Sequence, residues 1–125
     1  MSIFPADRTP SVYLDAAQAL QNVGDPDALR EMLVMMQDLL TRDVAQIAEL
    51  MKQSDFPAAQ HLLHALKGCM PIFCTSELCE ELAGIELLAK SQNAAASAPV
   101  YDLLRPKLEL LRTEISLHLA QFKGN

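Results

Sequence analysis

Between Asp25 and about Gln53 the apolar residues Leu29, Leu33, Met36, Leu40, Ile47 and Met51 recur at steps of three, four and seven, while Glu31, Gln37, Asp38 and Arg42 fall between them. An α-helix, at about 3.6 residues per turn, gathers such a set onto one side. A helix with one apolar stripe must bury it against another element. The same need recurs along the chain. Ala59, Leu62, Leu63, Leu66, Met70 and Phe73 form a second stripe, Leu78, Leu82, Ile85 and Ala89 a third, and Leu104, Leu108, Leu111, Ile115 and Leu119 a fourth. Leu and Ala dominate the composition, β-branched residues are sparse and Trp is absent, which favours helix over sheet.

The stripes are separated by start and stop signals. In Asp25-Pro26-Asp27, Asp25 can cap the first amides, Pro26 suits the first helical position and Asp27 lies at the positive end of the helix dipole. Ser54-Asp55-Phe56-Pro57 repeats the signal, so the next helix is expected from near Pro57, antiparallel to its predecessor. Thr75 or Ser76 can cap the one after it. Pro99 is expected to open the last helix, ending near Phe122, with Pro106 either kinking it or delaying its start. Ser91 to Ala98 carries little pattern and either prolongs the preceding helix or connects flexibly. At the front, Ser11 to about Asn22 reads as a short helix with Val12, Ala16, Ala19 and Leu20 on its apolar edge and Gly24 at its end. The expectation is one domain over residues 1–125, all-α, folded as an antiparallel up-and-down four-helix bundle with a short additional N-terminal helix as a lid.

The net charge of −6 and the lack of a basic stripe argue against nucleic acid as a partner. Met1 to Arg8 has neither the charged start nor the apolar run of a signal peptide, and no stretch approaches eighteen uninterrupted apolar residues. A cytoplasmic protein without membrane contact, acting as a monomer, is expected. Cys69, Cys74 and Cys79 are too few and too evenly spaced for a disulfide framework or a zinc site, and read as small core residues. No metal or cofactor is expected. Met36 and Met51 read as core, and Met32 and Met35 as an apolar rim open to a partner. Glu77, Glu80, Glu81 and Glu86 read as a solvated helix face.

One string departs from a plain amphipathic helix. At about 100° per residue, His64 falls roughly 160° from Leu66 and so points to solvent, with Lys67 one turn on. Gly68 lies nearly in line with His64, at a position where a mid-helix glycine costs on the order of 1 kcal/mol. That cost suggests close approach of something to the backbone. A free imidazole, with a pKa of about 6.5, is a nucleophile near neutral pH, and an ammonium beside it suits the charge of a phosphoryl group. His61, one turn earlier, reads first as a surface residue, with phosphate contact or a two-histidine metal site as alternatives. His118, among Leu111, Ile115 and Leu119, reads as a partly buried histidine whose charged form the helix C-terminus favours.

The string His64-Ala65-Leu66-Lys67-Gly68-Cys69-Met70, with Cys74-Thr75 at the turn, Leu78 after it and Ile85-Glu86 closing the pattern, resembles the histidine-containing phosphotransfer (HPt) domain. The segment Leu14-Asp15 to Gly24-Asp25 ahead of a long helix is also similar to that family. The resemblance implies a phosphocarrier of a multistep two-component phosphorelay, without its own ATP site. His64 would be the phosphoacceptor, with Lys67, Gly68 and His61 on the phosphate or the partner. The implied partners are response-regulator receiver domains, which bring the aspartate and the Mg²⁺, and a hybrid sensor kinase. The chain departs from the family at Met70-Pro71 and at Cys74, which stands where the turn glycine is usual. Pro71 removes a donor, so the His64 helix should kink or stop within two turns. Two further readings stay open: an HPt-like adaptor that binds a receiver or other regulator without phosphorylation, and a metal-dependent helical-bundle enzyme, for which no Glu-x-x-His pair is present.

Overall fold

A computed structural model describes residues 11–123, with side chains through Gln121; the reading of Met1 to Arg8 lies outside the described residues. Five α-helices carry the fold: α1 Ala16–Val23, α2 Pro26–Lys52, α3 Phe56–Cys69, α4 Ser76–Ala89 and α5 Ser97–Lys123. Helix α2 packs on α3 and α5, and α4 packs on the same two, so the four long stripes close around one core. That core runs from Leu29, Leu33 and Leu40 through Leu63, Leu66 and Phe73 to Leu82, Leu108 and Ile115. Helix α1 lies against α2 and the turn that follows α3.

The start signals work locally as expected. Asp25 accepts from the Ala28 amide at 3.1 Å, with Pro26 opening α2, and Asp55 accepts from the Ala58 amide at 3.3 Å, so α3 begins at Phe56. Thr75 occupies the N-cap position of α4, yet its hydroxyl makes no capping bond and is buried without a partner. Pro71 acts as anticipated: α3 ends at Cys69 and continues only as a 3-10 turn over Met70–Ile72. Ser91 to Ala98 neither prolongs α4 nor hangs free, because a second 3-10 turn over Ala94–Ala96 leads directly into α5. That helix therefore starts at Ser97, ahead of Pro99, and runs through Pro106 as one element. Proline leaves the carbonyl four residues back, on Asp102, without its helical donor, and both residues are exposed to water, which can supply one.

The front of the chain differs most. Ser11 to Asp15 is not helical, and Val12 and Leu20 face solvent, Val12 at 58% exposure. Glu114 of α5 supplies the reason. Its buried carboxylate accepts the amides of Val12 at 2.6 Å, Tyr13 at 3.0 Å and Leu14 at 3.0 Å. Three charge-assisted bonds hold these residues extended, and Leu14 then bridges Cys74 through Asp15 N–H to Phe73 C=O at 2.8 Å and Thr75 N–H to Tyr13 C=O at 2.9 Å. The helix begins only at Ala16, with Asp15 as its cap. Gln18 and Asn22 donate to the Pro71 and Ile72 carbonyls, so α1 satisfies acceptors that the proline-broken end of α3 leaves over.

Candidate functional site

Helix α3 has two unlike faces. Ala59, Leu63 and Leu66 are fully buried against the core, while His61, His64 and Gly68 stand on the outer side. The His64 side chain is 65% exposed. A Cβ placed on Gly68 would meet nothing within 4 Å. The fold itself therefore has no steric need for glycine there, although glycine is the poorer helix former.

The residue that organises the site is Glu86, and it corrects the expectation of a solvated acidic face. Glu77, Glu80 and Glu81 are exposed, but Glu86 is fully buried, because α4 turns Ile85 into the core and brings the next side chain under α3. Its Oε1 lies 2.6 Å from Lys67 Nζ. Its Oε2 accepts from the Gln60 amide at 2.6 Å and faces Lys90 Nζ at 3.3 Å and His64 Nδ1 at 3.5 Å. The Lys67 ammonium is the main cause that holds the Glu86 carboxyl at about 2, with Gln60 and Lys90 adding to it and outweighing burial, which acts in the opposite direction. A buried charge is tolerated when it is paired in this way.

Of the two ring nitrogens of His64, Nδ1 is the one that faces the Glu86 carboxylate. Lys67 and His64 face different oxygens of this one carboxylate. His61 is exposed and stands outside the group of side chains around Glu86. His118 is half-buried in α5, and burial lowers its pKa, contrary to the dipole-favoured charged form expected from its position near a helix end. The cysteines are free; burial pushes all three thiols up, Cys74 farthest, so they stay protonated. Among the described residues no group of three or more His, Cys, Asp or Glu side chains could hold a metal ion.

A groove of about 480 Å³ runs along α2 and reaches the last residue of α3, lined by Met32, Met35, Met36, Leu39, Arg42 and Cys69. Met35 is 70% exposed, whereas Met36 and Met51 are buried, as their spacing implied.

Against this geometry, a family model for the Hpt domain matches residues 31–117, a span that holds His64, Lys67, Gly68, Glu86 and Lys90. The chain belongs to the Hpt domain family. No curated protein and no solved structure matches it. Hpt domains are phosphocarriers of two-component signalling, and their partners are the receiver domains of response regulators. The family match begins inside α2, so α1 and the extended residues Val12 to Leu14 lie outside the matched part of this Hpt domain, while Glu114, which holds them, lies within it. No helix of the described residues is long and apolar enough to cross a membrane.

Proposed function

We propose that this Hpt domain is a histidine phosphotransfer protein of a multistep phosphorelay, in which His64 accepts a phosphoryl group from a receiver-domain aspartate and passes it to another receiver. The observation that carries the reading is an exposed imidazole whose Nδ1 faces a buried carboxylate, on the same helix face as an open glycine. The Nε2 lone pair forms the N–P bond while the O–P bond of the partner's aspartyl phosphate breaks, its electron pair returning to that carboxylate. No proton has to move. Nδ1–H stays on the ring, Glu86 balances the positive charge that the ring acquires, and the protonated ring remains a good leaving group for the second transfer. Lys67 offsets charge on the phosphoryl oxygens. Gly68 leaves room for the partner's loop, and the Met32–Met35 groove offers it an adaptable apolar contact.

The receiver partner brings the Mg²⁺; nothing of the kind is required of this chain. A hybrid sensor kinase stands upstream, and the site of action is cytoplasmic. We read the four packed helices as one up-and-down antiparallel domain. The adaptor reading drew on Met70-Pro71 and Cys74; the helical form that α3 keeps through Gly68 supports the transfer reading. Incubation with a receiver charged by acetyl phosphate tests the proposal: the chain should gain an acid-labile, alkali-stable phosphoryl group. His64→Gln should gain none, and equal labelling of that variant would remove His64 from the reaction.

A further inference from the structure

Three leucines of α5 stand open to solvent, Leu103 at 76%, Leu110 at 40% and Leu117 at 58%. They are seven residues apart, the repeat that keeps side chains in line along a helix and forms a seam for a second helix. Val100 and Val12, the latter held to the same helix by Glu114, are exposed beside them. Helix α5 packs on α2 and α4, as α3 does from the other side, so this face lies across the bundle from His64. Together the five side chains offer on the order of 500 Å² of apolar surface, a size at which a patch marks an interface.

The face matches itself. A two-fold axis through Leu110, running a second copy of α5 antiparallel, sets Leu110 against its twin and Leu103 against Leu117 of the other copy, because these two stand seven residues to either side. Charge agrees with the same register. Glu109, one residue before Leu110, comes level with Arg112 of the other copy, two residues after it, to within about one helical rise of 1.5 Å. Although the chain carries a net charge of −6, the ionic groups beside the leucines are matched within each copy: Glu109 faces Arg105 at 3.6 Å and Arg112 at 3.2 Å, and Lys107 faces Glu81 at 2.9 Å. Two copies therefore meet here without the repulsion that their net charge imposes elsewhere. Two such faces cover on the order of 1,000 Å² in all, the lower limit for a specific interface, which makes the pair weak and reversible.

We propose that the chain pairs with a second copy of itself through the outer face of α5, antiparallel and two-fold about Leu110, in place of the monomer expected from its sequence. The two His64 imidazoles then lie on the far sides of the pair, each open to a partner of its own. Pairing of this kind does not depend on phosphorylation of His64.

Sedimentation velocity and light scattering of the whole chain, from a few micromolar to about 1 mM, test this, with half-association expected on the order of 100 µM. Leu110→Glu should weaken association at least tenfold. When dilute, that variant should melt close to wild type and take label like wild type from phosphoramidate, a small donor that needs no protein partner. The register is read by cross-linking concentrated chains under mild oxidation. Leu110→Cys should couple to itself, Leu103→Cys should couple to Leu117→Cys but not to itself, and wild type, with its thiols half-buried or buried, should not couple. A wild-type chain that stays monomeric over the whole range, or a folded Leu110→Glu that associates as wild type does, overturns the inference. Leu103→Cys chains that couple to one another mean a parallel pair and overturn the two-fold about Leu110.

Discussion

Replacing Glu86 with Gln keeps the shape and one hydrogen-bonding oxygen while deleting the charge that gathers His64, Lys67 and Lys90. A carboxyl moved from 4.5 to about 2 is more stable as the anion by about 3 kcal/mol, at 1.36 kcal/mol per decade. Glu86 is covered by the stems of half-exposed lysines near the surface rather than sunk among leucines, so solvent screens the pairs and about 1–2 kcal/mol is the expected share. The sign follows from linkage: a carboxyl whose folded pKa is depressed stabilises the fold fully above its unfolded value, and that contribution is lost as pH falls toward the folded value. Urea unfolding of wild type and Glu86→Gln at pH 7, 4.5 and 3 measures it. Wild type should be the more stable by about 1–2 kcal/mol at pH 7, and the gap should narrow steadily below pH 4.5. Other carboxyls titrate in both proteins and cancel in the comparison. A gap absent at pH 7, or unchanged down to pH 3, refutes the pairing of Glu86 with the two lysines.

At Gly68, Ala should raise stability by up to about 1 kcal/mol. Gln there should fold normally and accept label from phosphoramidate, yet take it poorly from a charged receiver; full transfer by Gly68→Gln would show that close approach does not matter. Glu114→Gln should release the amides of Val12, Tyr13 and Leu14, read as faster hydrogen exchange at these three positions, and lower global stability by about 1–3 kcal/mol; unchanged exchange would mean the extended segment is held by other contacts. Met35→Glu, at an exposed position, should weaken receiver binding about tenfold, the equivalent of 1.4 kcal/mol, without altering phosphoramidate labelling. Unaltered receiver affinity would detach the α2 groove from the docking face.

Most of the helical frame was legible because its causes are local. Periodic stripes, Asp25-Pro26 and Asp55-Phe56-Pro57 act within a turn or two of where they stand, and Pro71 ends α3 for the same reason. What escaped depends on distant pairing. Ser11 to Asp15 has enough apolar residues to pass for a first helical turn, but the Glu114 carboxylate, about a hundred residues away, takes their amides first. Glu86 reads as solvent-facing by its charge, although its spacing points inward: it stands four residues after Leu82 and three before Ala89, both buried. Asp43, three after Leu40 and four before Ile47, is buried for the same reason and pairs with Arg42 at 2.9 Å. An acidic residue in step with an apolar stripe is a sequence signal for a paired, covered carboxylate. The partners of Glu86 come from two helices, and only their packing brings Gln60, His64, Lys67 and Lys90 around one group. His64 itself needed no tertiary information, since its orientation follows from the stripe behind it.

The most direct measurement is the position of the phosphoryl group after transfer from a charged receiver, read by ¹H–¹⁵N NMR of the histidine rings together with peptide mapping. One phosphoryl group on Nε2 of His64, with Nδ1 still bearing its proton, is the predicted result. A phosphoryl group on Nδ1, on His61 or on His118, or a receiver that binds the chain and transfers nothing, would contradict it.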